Sequence, residues 1–352
     1  MTSDSRAALR ETERSRSGVI DRLLDWIEQL PFPYLVFCLI VFVIGVVVFR
    51  LIGVLTAQAS FWPIDLDSIL NSYLMAYGLG LLLFVRRSAR QSLAVFAPVL
   101  DLDDAGFQRL QTNLIGTPTV PALLTSVFVI ATSVLVNFVL GGEAMQAILS
   151  TSAMMLPLMM VISLTYGMVG ILMYDLIRKL WLISRIYTLG GKFDLFNRRT
   201  LYAFSGLTAR ILAGWLILSY PSALLATGNW RSSAWLTVTG LTLAAILSAF
   251  GYTLLHMHQR MRAEKDRLQL DVQSRLHQAF ARLHAHMDHD TLQDVVQLKA
   301  LLDSLVMERD VLKAISIWPW QSDAVAGFAS VVLAPAGLWL LETLVKKLLG
   351  TG

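Results

Sequence analysis

Long apolar runs separated by short charged stretches organise this chain. The runs lie at 33–56, 69–85, 120–140, 148–174, 211–229, 234–255 and 324–341. A bilayer's hydrocarbon core is about 30 Å thick, so a spanning helix needs roughly 20 mostly apolar residues. The pattern therefore predicts an all-α, polytopic membrane helical bundle of about seven transmembrane helices, with the second and seventh runs near the shortest spanning length. Residues 1–30 are charged and hold no apolar core followed by a small-residue cleavage site, which reads as a cytoplasmic lead-in with a short surface helix. Residues 31–255 then form six spans, with cytoplasmic connections at 86–118 and 175–210. Residues 256–317 form a cytoplasmic helical hairpin, and 318–352 form a seventh span or a re-entrant segment.

The connections have patterns of their own. Residues 88–100 read as an interfacial helix broken at Pro98, and Asp103 or Asp104 caps a second short helix. The fourth run continues through Arg178, Lys179 and Arg185 to Gly190-Gly191. The sixth has no stop signal: from Ala234 to about His286 there is no proline, and only Gly240 and Gly251 interrupt good helix formers. Beyond the bilayer, Leu268, Val272, Leu276, Ala279, Phe280, Leu283 and Met287 trace one helical face. Asp290 restarts the chain with Gln293 at the capping-box position. Val295, Leu298, Leu302, Leu305, Arg309 and Leu312 follow at coiled-coil spacing, with Arg309 the one polar member of the seam. Two amphipathic helices joined by a tight turn predict an antiparallel hairpin. Its seam (Val295, Leu298, Leu302, Leu305, Leu312) closes the hairpin on itself or also meets another subunit.

Charge orients this frame. Of the 29 Lys and Arg residues, 25 fall on the N-terminal side of the spans, and Arg50, Arg231, Lys346 and Lys347 are left on the other. Basic residues near span ends stay cytoplasmic, so the N-terminus is placed inside. Trp62, Trp230 and Trp235 at outer ends, and Trp26, Trp181, Trp318 and Trp320 at inner ends, fit interfacial belts. A chain 55% hydrophobic and 15% charged is outside the soluble globular range. Its net charge of +4 follows from topology, and no nucleic-acid partner is expected. The single cysteine, Cys38, excludes an internal disulfide.

Candidate chemistry is sparse. The six histidines lie between 256 and 289, and His284, His286, Asp288 and His289 concentrate ligand-type side chains at a helix end. They suit sensing of pH or a metal, the metal being unspecified, or are solvated positions on a hairpin. Arg50, near the outer end of the first span, either snorkels to the interface or lines a wet vestibule. Thr125, Ser126, Thr132, Ser133 and Asn137, with Ser163, Thr165 and Tyr166, either hold helices together or line a polar path. Asp175, Glu143 and Glu342 sit at span ends, not paired at the midplane. In the last segment Gly327, Ser330, Ala334 and Gly337 make a small-residue face, for pore lining or for packing. There is no phosphate loop, zinc-protease motif or nucleophile elbow, so no catalytic residue, enzyme activity or cofactor is expected.

The layout implies a plasma (inner) membrane protein that meets the lipid bilayer and self-associates. The first reading is a homo-oligomeric, channel-like conductor of small ions with a cytoplasmic assembly or gating layer. The second is a non-conducting sensor or scaffold whose hairpin recruits a soluble cytoplasmic partner. A secondary transporter comes third. In layout alone the chain is similar to the insect chemoreceptor type of ligand-gated cation channel, without that family's last-span motif.

Overall fold

The computed structural model describes residues 18–57, 62, 64–99, 103–140, 156–189, 203–224, 233–287, 292–315 and 330. Among them there is no strand, and nine α-helices follow in order. They are α1 Val19–Glu28, α2 Tyr34–Ala57, α3 Leu66–Phe96, α4 Asp104–Ile115, α5 Thr119–Leu140, α6 Leu156–Leu189, α7 Ala203–Leu224, α8 Ser233–Met287 and α9 Leu292–Ala314. Four stretches are long and apolar enough to cross a membrane: Tyr34–Leu55, Ser68–Phe96, Asp104–Leu135 and Met159–Ile186. The fold is thus an all-helical bundle with four candidate spans among the described residues, fewer than the seven read from the hydropathy pattern. α7 and α8 are not among the four. The seventh run lies outside the described residues apart from Ser330, which is helical and exposed.

Where the elements begin and end follows from local chemistry. Asp65 caps α3, its carboxylate accepting from the Ser68 amide at 3.0 Å, and Asp103 does the same for α4 through the Gly106 amide at 2.9 Å. α3 does not stop at the second apolar run. It continues unbroken past Arg86, Arg87 and Arg90 to Phe96, and Pro98 falls in a single 3₁₀ turn, Ala97–Val99. The separate interfacial helix expected at 88–100 is therefore the last part of α3. Ala89, Leu93 and Phe96 are buried and give that extension a core face. α8 is one helix of 55 residues, as long as the absence of proline permits.

The core gathers α1, α3, α6, α7 and α8 around Leu81, Leu83, Leu176, Ile183, Phe204, Trp215, Phe250 and Met257. Close helix approach depends on small residues. A Cβ at Gly170 of α6 would lie 2.6 Å from the Ser126 Cα of α5, and one at Gly45 of α2 would lie 2.9 Å from the Ser72 hydroxyl of α3. Ser126 and Ser133 are buried at the α5–α6 contact, and Tyr166 hydrogen-bonds Ser133. The hydroxyls of Thr125 and Thr165 donate to their own helices, at Pro121 O and Val161 O.

A second, smaller core lies beyond the bundle. Val272, Leu276 and Ala279 of α8 bury Leu302, Leu305 and Leu312 of α9, with Leu268, Leu283, Val306 and Ile315 around them. Of the other seam positions, Leu298 and Arg309 are half-buried, and the Val295 side chain is outside the described set. Lys265 closes the open end of the hairpin. Its Nζ donates to Lys313 O at 3.0 Å and Ile315 O at 2.7 Å, meeting carbonyls that the end of α9 leaves without helical partners.

Candidate functional site: a charged clamp at the hairpin end of the bundle

The densest polar arrangement among the described residues is where α1 docks on α3, α6 and the α4–α5 turn. α1 carries Asp21, Asp25 and Glu28 at spacings that put them on one flank, while Ile20, Leu24 and Ile27 face the bundle. Arg86 of α3 donates through Nη2 to Asp25 Oδ1 at 2.6 Å. Arg90 Nη1 donates to Glu28 Oε2 at 2.7 Å, and Arg87 Nε lies 3.6 Å from Glu28 Oε1. The Arg87 guanidinium also sits over the Tyr34 ring, 4.5 Å from its centroid, where the ring face attracts a cation.

One layer deeper, the charges are desolvated. Asp175 and Lys179, one turn apart on α6, form a fully buried ion pair. Thr117 Oγ1 donates to the other Asp175 oxygen at 2.8 Å, and the Thr117 amide donates to Asp21 Oδ1 at 3.0 Å. Arg178 Nη1 donates to Gly116 O at 2.6 Å. Gly116 and Thr117 thus join α1 to α6. Gly116 is held close: a Cβ there would come 2.8 Å from Thr112 O and 3.2 Å from Asp21 Oδ2. Burial raises the Asp21 carboxyl above its ordinary range by more than the Thr117 amide and the Arg86 charge lower it. Arg86 is only 6% exposed, and its Nε and Nη1 have no hydrogen-bond partner among the described residues. The guanidinium is therefore only partly compensated by Asp25.

From α6 the arrangement reaches the hairpin. Thr253 of α8 donates to Leu180 O at 3.2 Å, one residue beyond Lys179. Four residues on, Met257 is buried in the main core.

The expected sites are distributed differently. Asp175, expected at a span end and not in a midplane pair, is the centre of the clamp. Sequence spacing offered one clue, Asp175 and Lys179 at i and i+4. The partnership of Asp25 and Glu28 of α1 with Arg86, Arg87 and Arg90 left no local signal. Arg50, expected either to snorkel to the interface or to line a wet vestibule, is buried and donates to Asp65 Oδ1 at 2.7 Å. Burial opposes ionisation of Asp65, yet hydrogen bonds from the Ser68 amide and hydroxyl, with Arg50, hold its carboxyl below the ordinary range. His284 is exposed on α8, His286 lies on the same helix, and Asp288 and His289 are outside the described residues. No group of three metal-ligating side chains occurs among the described residues. Gly327, Ala334 and Gly337 also lie outside them.

The arrangement is a structural joint of paired charges in an all-helical, membrane-type bundle. Comparison with protein-family models, curated proteins and solved structures returns no match to this chain.

Proposed function

We propose that this chain is a seven-span, homo-oligomeric protein of the plasma (inner) membrane, with a cytoplasmic N-terminus, that conducts small ions under the control of its hairpin. The observation that carries the reading is the continuity of α8. One helix runs from Ser233 in the bundle to Met287 in the hairpin, pinned on the way by Thr253 to α6 and by Phe250 and Met257 to the core. A helix without a break transmits displacement instead of absorbing it at a hinge, as a gating layer requires. The clamp ties the same α6 segment to α1 and α3, so movement of the hairpin bears on several helices together.

A second reading is the non-conducting sensor or scaffold. It is favoured by four of the α5–α6 hydroxyls: Thr125 and Thr165 donate to their own backbones, and Ser126 and Ser133 are buried in helix packing. Purified protein sized in detergent and then assayed for cation flux in proteoliposomes separates the two. A ring-shaped oligomer with flux above that of empty vesicles supports conduction. A monomer without flux overturns it and leaves the scaffold.

A further inference from the structure

α1 has an apolar flank that the bundle does not cover. Val19, Leu23 and Trp26 recur at spacings of four and three and are 71%, 51% and 54% exposed. At 100° per residue this row lies on one side of the core-facing row of Ile20, Leu24 and Ile27, and Asp21, Asp25 and Glu28 lie on the opposite side. A helix standing in water would not keep three large apolar side chains on one flank and its acids on the other.

What adjoins that flank decides its occupant. Trp26 packs edge-on against Phe37, with ring centroids 6.0 Å apart, and Phe37 is in the first turn of the apolar α2. The outward face of α2 continues from there through Leu35, Val36, Leu39, Ile40, Val43 and Ile44, all exposed. At the other end of α1, a Cβ at Gly18 would collide with Thr119, the first residue of α5. Next to it, Val120, Leu123 and Leu124 are exposed on α5. The flank of α1 therefore bridges the outward apolar faces of two candidate spans at their hairpin ends.

We infer that α1 lies in the plane of the membrane with Val19, Leu23 and Trp26 sunk in the acyl–headgroup boundary of the leaflet on the hairpin side. Such helices bind by burying one apolar flank at the interface, where a tryptophan ring is well suited. The acids on the far flank face α3 arginines and the α4–α5 turn, and so stay out of the lipid. The clamp then fixes the depth at which the bundle sits. The inference rests on the chain's crossing a membrane, not on what it conducts.

Spin labels at single cysteines, introduced as Val19→Cys and Leu23→Cys in a Cys38→Ala background, test it in vesicles of phosphatidylcholine and phosphatidylglycerol. Collision with oxygen reports lipid, and collision with a water-soluble nickel complex reports solvent. Leu39→Cys on the outward face of α2 is the lipid reference, and Ser274→Cys on the hairpin is the water reference. At 19 and 23 the ratio of oxygen to nickel collisions should exceed that at 274 several-fold and lie somewhat below that at the deeper position 39. Nickel access at 19 and 23 with a lipid-like 39 overturns the placement of α1 alone. Protection from both reagents also overturns it, since protein would then cover the flank. Nickel access at 39 as well would refute the membrane reading beneath it.

Discussion

Removing the carboxylate of Asp175 is the sharpest test of the clamp. Asp175→Ala leaves the Lys179 ammonium enclosed without its Asp175 counter-charge, and frees the Thr117 hydroxyl that donated to that carboxylate. Both charged side chains are out of solvent, so water cannot enter to compensate without repacking. Breaking a buried pair from one side costs about 3–5 kcal/mol, because the surviving charge is stranded. That is a large share of a total that is typically about 5–15 kcal/mol. In a thermal scan in detergent, followed by tryptophan fluorescence, it corresponds to a fall of roughly 4–7 °C. The companion variant carries Asp175→Leu and Lys179→Met together. It removes both charges at similar volume and should recover most of the loss, since apolar replacement of a whole buried pair is often neutral. A melting temperature of Asp175→Ala within a degree or so of the parent would refute the buried pair. If the double variant is as unstable as the single one, the loss comes from packing and the electrostatic argument fails.

Three further outcomes are expected. Gly170→Leu should force α5 and α6 apart, because the new Cβ meets Ser126 backbone, and should lower both monodisperse yield and melting temperature; Gly53→Ala, with nothing within 4 Å, should be silent. Leu302→Asp puts a carboxylate into the hairpin core and should cost several kcal/mol, exposing α9 to protease, whereas the exposed neighbour Leu301→Asp should leave digestion unchanged. Asp21, raised above its ordinary value of 3.8 when docked, binds its proton more tightly in the docked state, so its contribution favours docking of α1 at low pH and is lost as pH rises through the raised value. Hydrogen exchange across α1, corrected for intrinsic rates, should show that pH dependence flattened in Asp21→Asn. Unchanged dependence would mean that another group sets it.

The sequence by itself determined the all-helical class, the positions of the longest apolar helices and the uninterrupted course of α8. Each is a property of local pattern. Backbone hydrogen bonds in a helix close within four residues, so proline, glycine, capping aspartates and apolar runs suffice to mark its course. Leu302, Leu305 and Leu312 were legible as one face because helical spacing places them there whatever lies opposite. The tertiary structure decided which partners meet. Whether Arg50 reached solvent or an acid depended on where α3 begins, since its partner is the capping residue Asp65. The clamp depended on more: Asp25 and Arg86 are 61 residues apart, and Thr117 and Asp175 are 58 apart. Nothing in the local pattern of either residue specifies the other. A charge near a span end reads alike whether it will be solvated or buried, and only the packing of the helices fixes its dielectric surroundings and its counter-charge.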